Sequence, residues 1–288
     1  MTSKIEWTQE TWNPIVGCSK VSPGCQHCYA ERMAKRLKAM GVANYQDVVD
    51  ENGWTGIMGF VPGALLKPYR WKKPRMVFVG SMNDILHNTV QDWALNAIMG
   101  TIAKFPQHIF QILTKRAERM AEYFSTHEVP DNLWVGVTAE NREMANKRIP
   151  YLLHVKAKVR FVSIEPMLGP VDLSMYLPGT CVLYKHRLNE NPVAEYLDWV
   201  IAGGESGPGA RPMHPDWVRN LRDQCQAANV PFFFKQWGEW SPDCLCRTKE
   251  AHREIDRLVP GGGGVMFRCG KKAAGRLLDG EVWDQIPG

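Results

Sequence analysis

The sequence predicts an α/β fold made of successive strand-helix units that form a full or partial (β/α) barrel. Short apolar runs, typical of strands buried in a parallel sheet, alternate with stretches whose apolar residues recur at helical spacing. The number of these units favours a barrel over an open sheet. The chain has 288 residues, of which 44% are hydrophobic, and this is enough for a full core.

The elements follow in a regular order. Alternation over residues 4–8 predicts a short strand, and apolar spacing from Tyr29 predicts a helix that ends at Gly41. Residues 42–73, interrupted by glycine and proline, are interpreted as an insertion that covers the site. The later strands are predicted at 76–80, 108–114, 133–138, 159–164, 199–202 and 230–234, and the helices between them at 89–104, 116–124, 140–153 and 215–228. The barrel is therefore assigned to residues 1–238, and residues 239–288 are assigned to a C-terminal extension packed on it.

Composition excludes several classes of protein. Eight cysteines in 288 residues are too few for a disulfide-stapled scaffold, and no apolar run approaches the roughly 20 residues of a membrane span. These features predict a soluble protein of the reducing cytoplasm. The net charge of +5 is compatible with a polyanionic partner but does not demonstrate one.

A Gly/Pro-rich loop between the first strand and the first helix carries the most informative motif. Cys18, Cys25 and Cys28 have the spacing Cys-x6-Cys-x2-Cys. Thiolates bind iron-sulfur clusters, and three ligands leave one iron of a 4Fe-4S cluster open for S-adenosylmethionine, whose amino and carboxylate groups can chelate it. A structural zinc is the alternative, but it requires a fourth ligand, and the nearest candidate is His27.

The predicted strands end in small, hydroxyl or charged residues. In a barrel the carboxyl ends of the strands carry the chemistry, so these ends are expected to surround the cysteine loop. For any one strand, a helix cap or a turn would explain the same residues. The six ends are Gly80-Ser81-Met82-Asn83-Asp84, Thr114-Lys115-Arg116, Thr138-Ala139-Glu140-Asn141, Ser163-Ile164-Glu165-Pro166, Gly203-Gly204-Glu205-Ser206 and Lys235-Gln236-Trp237.

Together with the loop Trp12-Asn13-Pro14 to Cys28-Tyr29-Ala30-Glu31, these motifs resemble the phage-associated radical S-adenosylmethionine family over nearly the whole chain. The order of the strand-end motifs is also distantly similar to that of spore photoproduct lyase. The resemblance implies a partial barrel of the radical S-adenosylmethionine type, a 4Fe-4S cluster, and cleavage of S-adenosylmethionine to methionine and a 5'-deoxyadenosyl radical. The x6 gap departs from the x3 gap of most such enzymes, so the conformation of the loop cannot be transferred.

The resemblance also implies roles for individual residues. The three cysteines of the loop would ligate the cluster. Ser81 and Asp84 would meet the amino group of the cofactor, Lys115 or Arg116 its carboxylate, and Thr138 or Glu140 the ribose, with Glu165 as a further cofactor-binding residue. Glu205 and Lys235 are expected near the substrate, and Cys225 is a candidate hydrogen-atom donor whose alternative role is core packing.

Two weaker features concern further ligands. Cys244, Cys246, His252 and Cys269 are soft ligands that could bind zinc or an auxiliary cluster, although Cys-x-Cys is a poor spacing for one tetrahedral site. The alternative is that the cysteines are small buried apolar residues. The basic and aromatic segment Lys67–Lys73 could stack bases and neutralise phosphates, and a solvated loop is the alternative. The sequence therefore predicts a radical enzyme that acts on a nucleic-acid base and takes electrons from a donor such as flavodoxin or ferredoxin. The alternatives are a radical enzyme acting on a protein, peptide or metabolite, and a non-enzymatic zinc-stabilised phage protein.

Overall fold

The computed structural model describes residue 3 and residues 5–179, 196–242, 252–254 and 265–288. The chain folds into two compact units. Unit 1 comprises residues 1–138 and 155–158, and unit 2 comprises residues 139–154 and 159–288.

Unit 1 contains parallel strands connected by helices. Its strands and helices are β1 (Glu10–Trp12), β2 (Ile15–Val16), α1 (Tyr29–Ala39), β3 (Gly59–Phe60), β4 (Met76–Val79), α2 (Asp92–Ala103), β5 (Ile109–Thr114), α3 (Ala117–Thr126) and β6 (Leu133–Thr138). Strand β1 pairs with β4, β4 with β5 and β5 with β6, all in parallel, so their carboxyl ends lie at one edge. Strands β2 and β3 form a separate antiparallel pair.

Unit 2 continues the same pattern and adds short antiparallel strands. Its elements are α4 (Arg142–Leu153), β7 (Val159–Ile164), β8 (Trp199–Gly203), α5 (Pro215–Ala227), β9 (Phe232–Gln236), β10 (Trp240–Ser241), β11 (His252–Glu254), β12 (Val265–Arg268), α6 (Lys271–Ala274), β13 (Leu277–Leu278) and β14 (Glu281–Val282). Strands β7, β8 and β9 are parallel, whereas β10, β12 and β11 are antiparallel, as are β13 and β14.

Seven strands make up the main sheet, in the order β1-β4-β5-β6-β7-β8-β9. This order follows the chain, as expected when each helix returns the chain to the next parallel strand. The fold class predicted from the sequence, α/β of the partial-barrel type, is confirmed. The domain boundary expected after residue 238 stays a prediction.

Large aromatic side chains fill the core of each unit. In unit 1, Trp12 is fully buried, its ring centroid lies 5.7 Å from that of Phe110, and its indole nitrogen donates to the Ala64 carbonyl at 2.8 Å. In unit 2, the ring of the fully buried Trp199 packs edge-on against Phe233. Burial of one such side chain stabilises a fold by about 1.5 to 3 kcal/mol, and the indole hydrogen bond avoids an unpaired buried donor.

The structure corrects the first predicted strand. Residues 5–8 form a turn, in which the Thr8 amide donates to the Ile5 carbonyl at 3.3 Å. The first strand of the sheet is instead Glu10–Trp12, whose partner is β4. Alternation over only five residues did not distinguish a turn from a strand, since the decisive interaction is the long-range pairing with β4.

The predicted insertion has two parts with different locations. Tyr45, Val48 and Val49 are buried against Val16 and Ala34, and together they form a small core between the insertion, β2 and α1. The later part contains 3-10 helices at Pro62–Leu66 and Pro68–Arg70 and leads into β4. The early part therefore packs against β2 and α1, which flank the cysteine loop. That the insertion covers the site stays a prediction.

Candidate functional site

The cysteine loop leaves the sheet at the carboxyl end of β1 and is joined to the turn that follows β4. The Asn13 amide nitrogen donates to Ser81 Oγ at 3.1 Å, and Asn13 Oδ1 accepts from the Met82 amide at 3.1 Å. The Asn83 side chain donates to the Ile15 carbonyl. Because β1 and β4 are adjacent and parallel, the loop and the turn start at the same edge, and these bonds hold them together.

The insertion limits the conformation of the loop at Gly17. This residue has φ +100°, and a β-carbon there would collide with the carbonyl oxygen of Ile57. The Gly56 amide donates to the Cys18 carbonyl at 3.2 Å. A side chain at position 17 would therefore be excluded both by the backbone conformation and by the close approach of the insertion.

The three cysteines of the loop are free thiols and partly exposed. Cys25 ends a 3-10 helix, Pro23–Cys25, and Cys28 is the N-cap residue of α1. Three unpaired thiols on one loop are the donor set that an iron-sulfur cluster requires, so these residues fit such a cluster. Among the described residues, no group of three His, Cys, Asp or Glu side chains has an arrangement that would hold a single metal ion.

Cys18 lies beside the Asp84 carboxylate and the Arg116 guanidinium. Burial, aided by the nearby Asp84 carboxylate, raises its pKa to about 12, although the Arg116 guanidinium acts in the opposite direction. Cys18 is thus a neutral thiol in the metal-free chain at pH 7. Binding of a metal at Cys18 must release this proton.

Asp84 and Arg116 form a buried ion pair beside the loop, with 2.8 Å between Asp84 Oδ2 and Arg116 Nη1. Asp84 Oδ1 accepts from Thr114 Oγ1 at 2.7 Å, and Oδ2 also accepts from the Lys115 amide at 3.1 Å. The Leu86 amide donates to Oδ1 at 3.2 Å. The structure therefore brings together the predicted strand ends of β4 and β5. Both oxygens of Asp84 already accept hydrogen bonds from other groups of the protein.

Arg116 also contacts the cysteine loop. Its Nη2 donates to Ser19 Oγ at 2.8 Å and to the Ser19 carbonyl at 3.1 Å, and its Nη1 lies 3.9 Å from Cys18 Sγ. His87 Nε2 lies 2.8 Å from Ser19 Oγ. Burial, together with the positive charge of Arg116, lowers the pKa of His87, and the Asp84 carboxylate partly opposes this shift. Ser19 and His87 were not found from the sequence, because nothing in their spacing indicates a shared partner.

The remaining candidates of unit 1 lie at the same edge. Ser81 is partly buried, and its carbonyl accepts from the Tyr29 hydroxyl at 2.6 Å. The Lys115 side chain is partly exposed, whereas Thr138, the last residue of β6, is buried. Their roles toward a cofactor stay predictions.

Unit 2 places an ion pair at the carboxyl ends of its own strands. Lys235 Nζ lies 3.0 Å from Glu165 Oε1, and the two side chains are 18% and 14% exposed. Ser163 Oγ donates to the other Glu165 oxygen at 3.3 Å. A β-carbon on Gly203 would approach Glu165 Oε1 to 2.7 Å, so a glycine on the intervening strand β8 leaves room for the carboxylate. The sequence-predicted residues Glu165 and Lys235 are thus brought together.

The other two acidic candidates of unit 2 are bound to arginines. Glu140 is fully buried and lies 3.0 Å from Arg148 of α4. Glu205 binds Arg211 through both oxygens, at 2.8 Å to Nε and 2.6 Å to Nη2. Each arginine follows its glutamate within eight residues, and no sequence pattern marked either pair in advance. Their roles toward a ribose or a substrate stay predictions.

The cysteines outside the loop have separate locations. Cys225 is fully buried on α5, and burial raises its pKa to about 12, which is the environment of a core residue. Cys269 Sγ donates to the Phe267 carbonyl at 3.4 Å. Cys244 and Cys246 lie outside the described residues, as does the side chain of His252. Nothing in the described part of the chain supports the second metal.

The basic and aromatic segment Lys67–Lys73 contacts residues at the amino ends of β1 and β5. The Trp71 ring packs edge-on against His108, which precedes β5, at a centroid distance of 5.5 Å. Lys67 lies 3.1 Å from Glu10 at the start of β1. The segment was expected to add cations and aromatic faces around the site. Its Trp71 ring packs at the amino ends of the strands, whereas its Tyr69 side chain is 58% exposed. Its contact with nucleic acid stays a prediction.

One protein family matches nearly the whole chain. The family described as "Protein of unknown function (DUF5131)" matches residues 2–287. The chain belongs to this family. No curated protein matches it in sequence.

Solved structures of spore photoproduct lyase show a distant likeness. The enzyme complexed with dinucleoside spore photoproduct has a TM-score of 0.39 and 10% identity, over 88% of this chain and 66% of that one. A variant with bound AdoMet and the same dinucleoside has a TM-score of 0.40 and 9% identity, over 90% and 68%. The chain spans about two thirds of the length of these enzymes, and likenesses of this size do not establish a shared activity.

In the described residues, no helix is long and apolar enough to span a membrane.

Proposed function

We propose that this chain is a radical S-adenosylmethionine enzyme whose 4Fe-4S cluster is held by Cys18, Cys25 and Cys28. The observation that carries the proposal is the set of three free thiols on one loop at the carboxyl end of β1, bonded to the turn that follows β4. When bound, the cluster would supply an electron that cleaves S-adenosylmethionine to methionine and a 5'-deoxyadenosyl radical.

The residues around the loop would perform the remaining tasks. The turn at 80–84 fixes the loop, and the partly exposed Lys115 supplies a cation at the same edge for the carboxylate of S-adenosylmethionine. Asp84 would act on the amino group through its local negative charge rather than by a free oxygen, since both oxygens already accept hydrogen bonds. Ser81, Thr138, Glu140 and Glu165 belong to the same proposal as cofactor-binding residues.

Anaerobic reconstitution tests the proposal. The chain is incubated with iron and sulfide, and then with S-adenosylmethionine and dithionite. We expect about four irons per chain and formation of 5'-deoxyadenosine with methionine. A chain that retains zinc and takes up no iron under these conditions would contradict the proposal and favour the structural metal.

Lys235, which pairs with Glu165, is proposed to act on the substrate. The pair is partly exposed, and Lys235 has a single contact among the interactions of the described residues, so two of its three donors can meet a polar group. Glu205 would assist by holding Arg211. Lys235→Met should lower turnover of a substrate at least tenfold while the cluster content is unchanged. Asp279→Asn, which removes the carboxylate of an exposed ion pair with Arg219 and Arg222, is the control and should leave turnover unchanged.

The substrate is proposed to be a nucleic-acid base, and the test compares substrate classes directly. Dinucleosides, single-stranded oligonucleotides, peptides and small metabolites are added to the reconstituted chain, and 5'-deoxyadenosine is measured. Stimulation by nucleic acid alone supports the proposal, whereas stimulation by peptides or metabolites alone would replace it. A phage association, a cytoplasmic location and an electron donor of the flavodoxin or ferredoxin type are part of the same proposal.

A further inference from the structure

Arg116 is a buried, charged side chain in contact with a cysteine of the loop. Its Nη1 lies 2.8 Å from Asp84 Oδ2 and 3.9 Å from Cys18 Sγ. Its Nη2 lies 2.8 Å from Ser19 Oγ and 3.1 Å from the Ser19 carbonyl. The side chain is 7% exposed. The guanidinium thus joins the end of β5 and the turn after β4 to the cysteine loop.

These contacts require an arginine. The planar fork places two nitrogens on different groups at once, so one nitrogen binds Asp84 while the other binds Ser19. The compact ammonium of a lysine cannot contact both sides in this way. Because both terminal nitrogens are engaged, a carboxylate of S-adenosylmethionine would have to displace an existing hydrogen bond in order to bind Arg116 through two nitrogens at once.

The position of the Arg116 charge beside Cys18 also bears on the reduction of a cluster bound there. A positive charge and an N–H donor at a ligating sulfur stabilise the reduced cluster, which carries more negative charge than the oxidised one. Asp84 does not cancel this effect completely, because the guanidinium and not the carboxylate makes the contact with Cys18. The second loop anchor, His87 at Ser19 Oγ, keeps the serine beside the guanidinium.

We propose that Arg116 is a positioning residue that fixes Cys18 for cluster binding and raises the reduction potential of the cluster through that sulfur. This inference rests on the proposed function. It assigns to Arg116 a different task from the carboxylate binding expected from the sequence, and it makes Cys18 distinct from Cys25 and Cys28.

The test compares Arg116→Met, which keeps the length and removes the charge, with Arg116→Lys, which keeps the charge and removes the fork. Arg119→Met is the matched control, because Arg119 lies one turn away on α3 and binds Asp92 and Glu122 instead. Two readouts are used. Backbone hydrogen exchange of residues 17–21 is measured in the metal-free chain, and the midpoint potential is measured by redox titration of the reconstituted chain.

We expect Arg116→Met to accelerate exchange of residues 17–21 at least tenfold and to shift the oxidised-to-reduced ratio of the cluster tenfold toward oxidised, or about 59 mV for one electron. Arg116→Lys should have a midpoint potential close to that of the wild-type chain, but its residues 17–21 should lose their protection from exchange. Arg119→Met should change neither the potential nor the exchange. If Arg116→Met takes up no iron while Arg119→Met does, the potential of Arg116→Met cannot be measured. Hydrogen exchange of the metal-free chains and the midpoint potential of Arg116→Lys then test the proposal.

The possible failures are distinguishable. If the wild-type chain takes up iron and cleaves S-adenosylmethionine but Arg116→Met has wild-type exchange and potential, only this inference is overturned. If the wild-type chain takes up no iron, the proposed function is overturned and the inference falls with it.

Discussion

The two ends of the parallel strands in unit 1 are built from different chemistry. At the carboxyl ends, Asp84 and Arg116 form a buried polar network with the cysteine loop. At the amino ends, Trp71, His108 and Phe110 pack as a cluster of rings, and both His108 nitrogens are buried without a hydrogen-bond partner in the described part of the chain.

In unit 1, the polar network beside the cysteine loop and the ring cluster therefore lie at opposite ends of the same strands. A buried ion pair contributes little net stability, but removing one partner is costly, so such pairs fix geometry. A ring cluster stabilises by burial, and an unpaired charge buried within it would be costly. Changes at the carboxyl ends should therefore affect metal and cofactor, whereas changes at the amino ends should affect stability alone.

The largest expected effect comes from the loop cysteines. Cys18→Ala, Cys25→Ala and Cys28→Ala should each reduce iron from about four per chain to below one, since each removes a cluster ligand. Iron and sulfide analysis after anaerobic reconstitution measures this. Cys225→Ala is the control, because its thiol is buried on α5, and it should keep its iron. Full iron in all three loop variants would show that the cluster is held elsewhere.

Asp84→Ala should have the next largest effect. It leaves the Arg116 guanidinium buried and unpaired, so the free energy of unfolding should fall by about 3 to 5 kcal/mol. Urea denaturation of the metal-free chain measures this loss. Asp279→Ala, at an exposed ion pair, should cost about 1 kcal/mol or less. Unchanged stability with weakened binding of S-adenosylmethionine would instead give Asp84 the direct contact with the amino group that the sequence suggested.

Sequence reasoning succeeded where local pattern determines structure. The strands predicted at 133–138 and 159–164 have those bounds in the structure, because continuous apolar runs bounded by polar residues specify a buried strand. The strand predicted at 230–234 begins two residues later, at Phe232.

Long-range partners could not be predicted in this way. Asp84 and Arg116 were both identified as site residues, but their mutual ion pair depends on the register of β4 and β5, which the sequence does not display. For the same reason, Trp71 was expected at a binding surface, although its ring packs against His108. An aromatic residue in a basic segment has the same pattern whether it faces a ligand or a core.

Trp71→Ala tests the amino ends. The partly buried ring contacts His108 and Phe110, so its loss should lower the free energy of unfolding by about 2 kcal/mol. Iron content should not change. The control is Trp93→Ala on α2, where the side chain is 60% exposed and the cost should be within about 0.5 kcal/mol. Iron loss in Trp71→Ala without loss of stability would contradict the separation of the two ends.

His108 should make stability depend on pH. Burial, together with the charge of Arg75, lowers its pKa below the usual value of 6.5, so the unfolded chain binds more protons than the folded one as pH falls below that value. This contribution is complete above pH 6.5 and is lost below it, with a slope of at most about 1.4 kcal/mol per pH unit. Denaturation of His108→Leu between pH 7.5 and pH 5 should show a smaller slope, with the exposed His154→Leu as the control.

The smallest expected effect concerns the exposed lysines of the amino ends. If nucleic acid binds at the carboxyl ends, Lys115→Gln should remove one phosphate contact and lower the slope of log Kd against log salt by about 1. The double variant Lys72→Gln and Lys73→Gln should leave that slope unchanged, because both side chains lie on the segment that packs by Trp71 at the opposite ends of the strands. Fluorescence anisotropy with a labelled single-stranded oligonucleotide measures both. A reduced slope in the double variant alone would place the nucleic-acid surface at the amino ends, away from the cysteines.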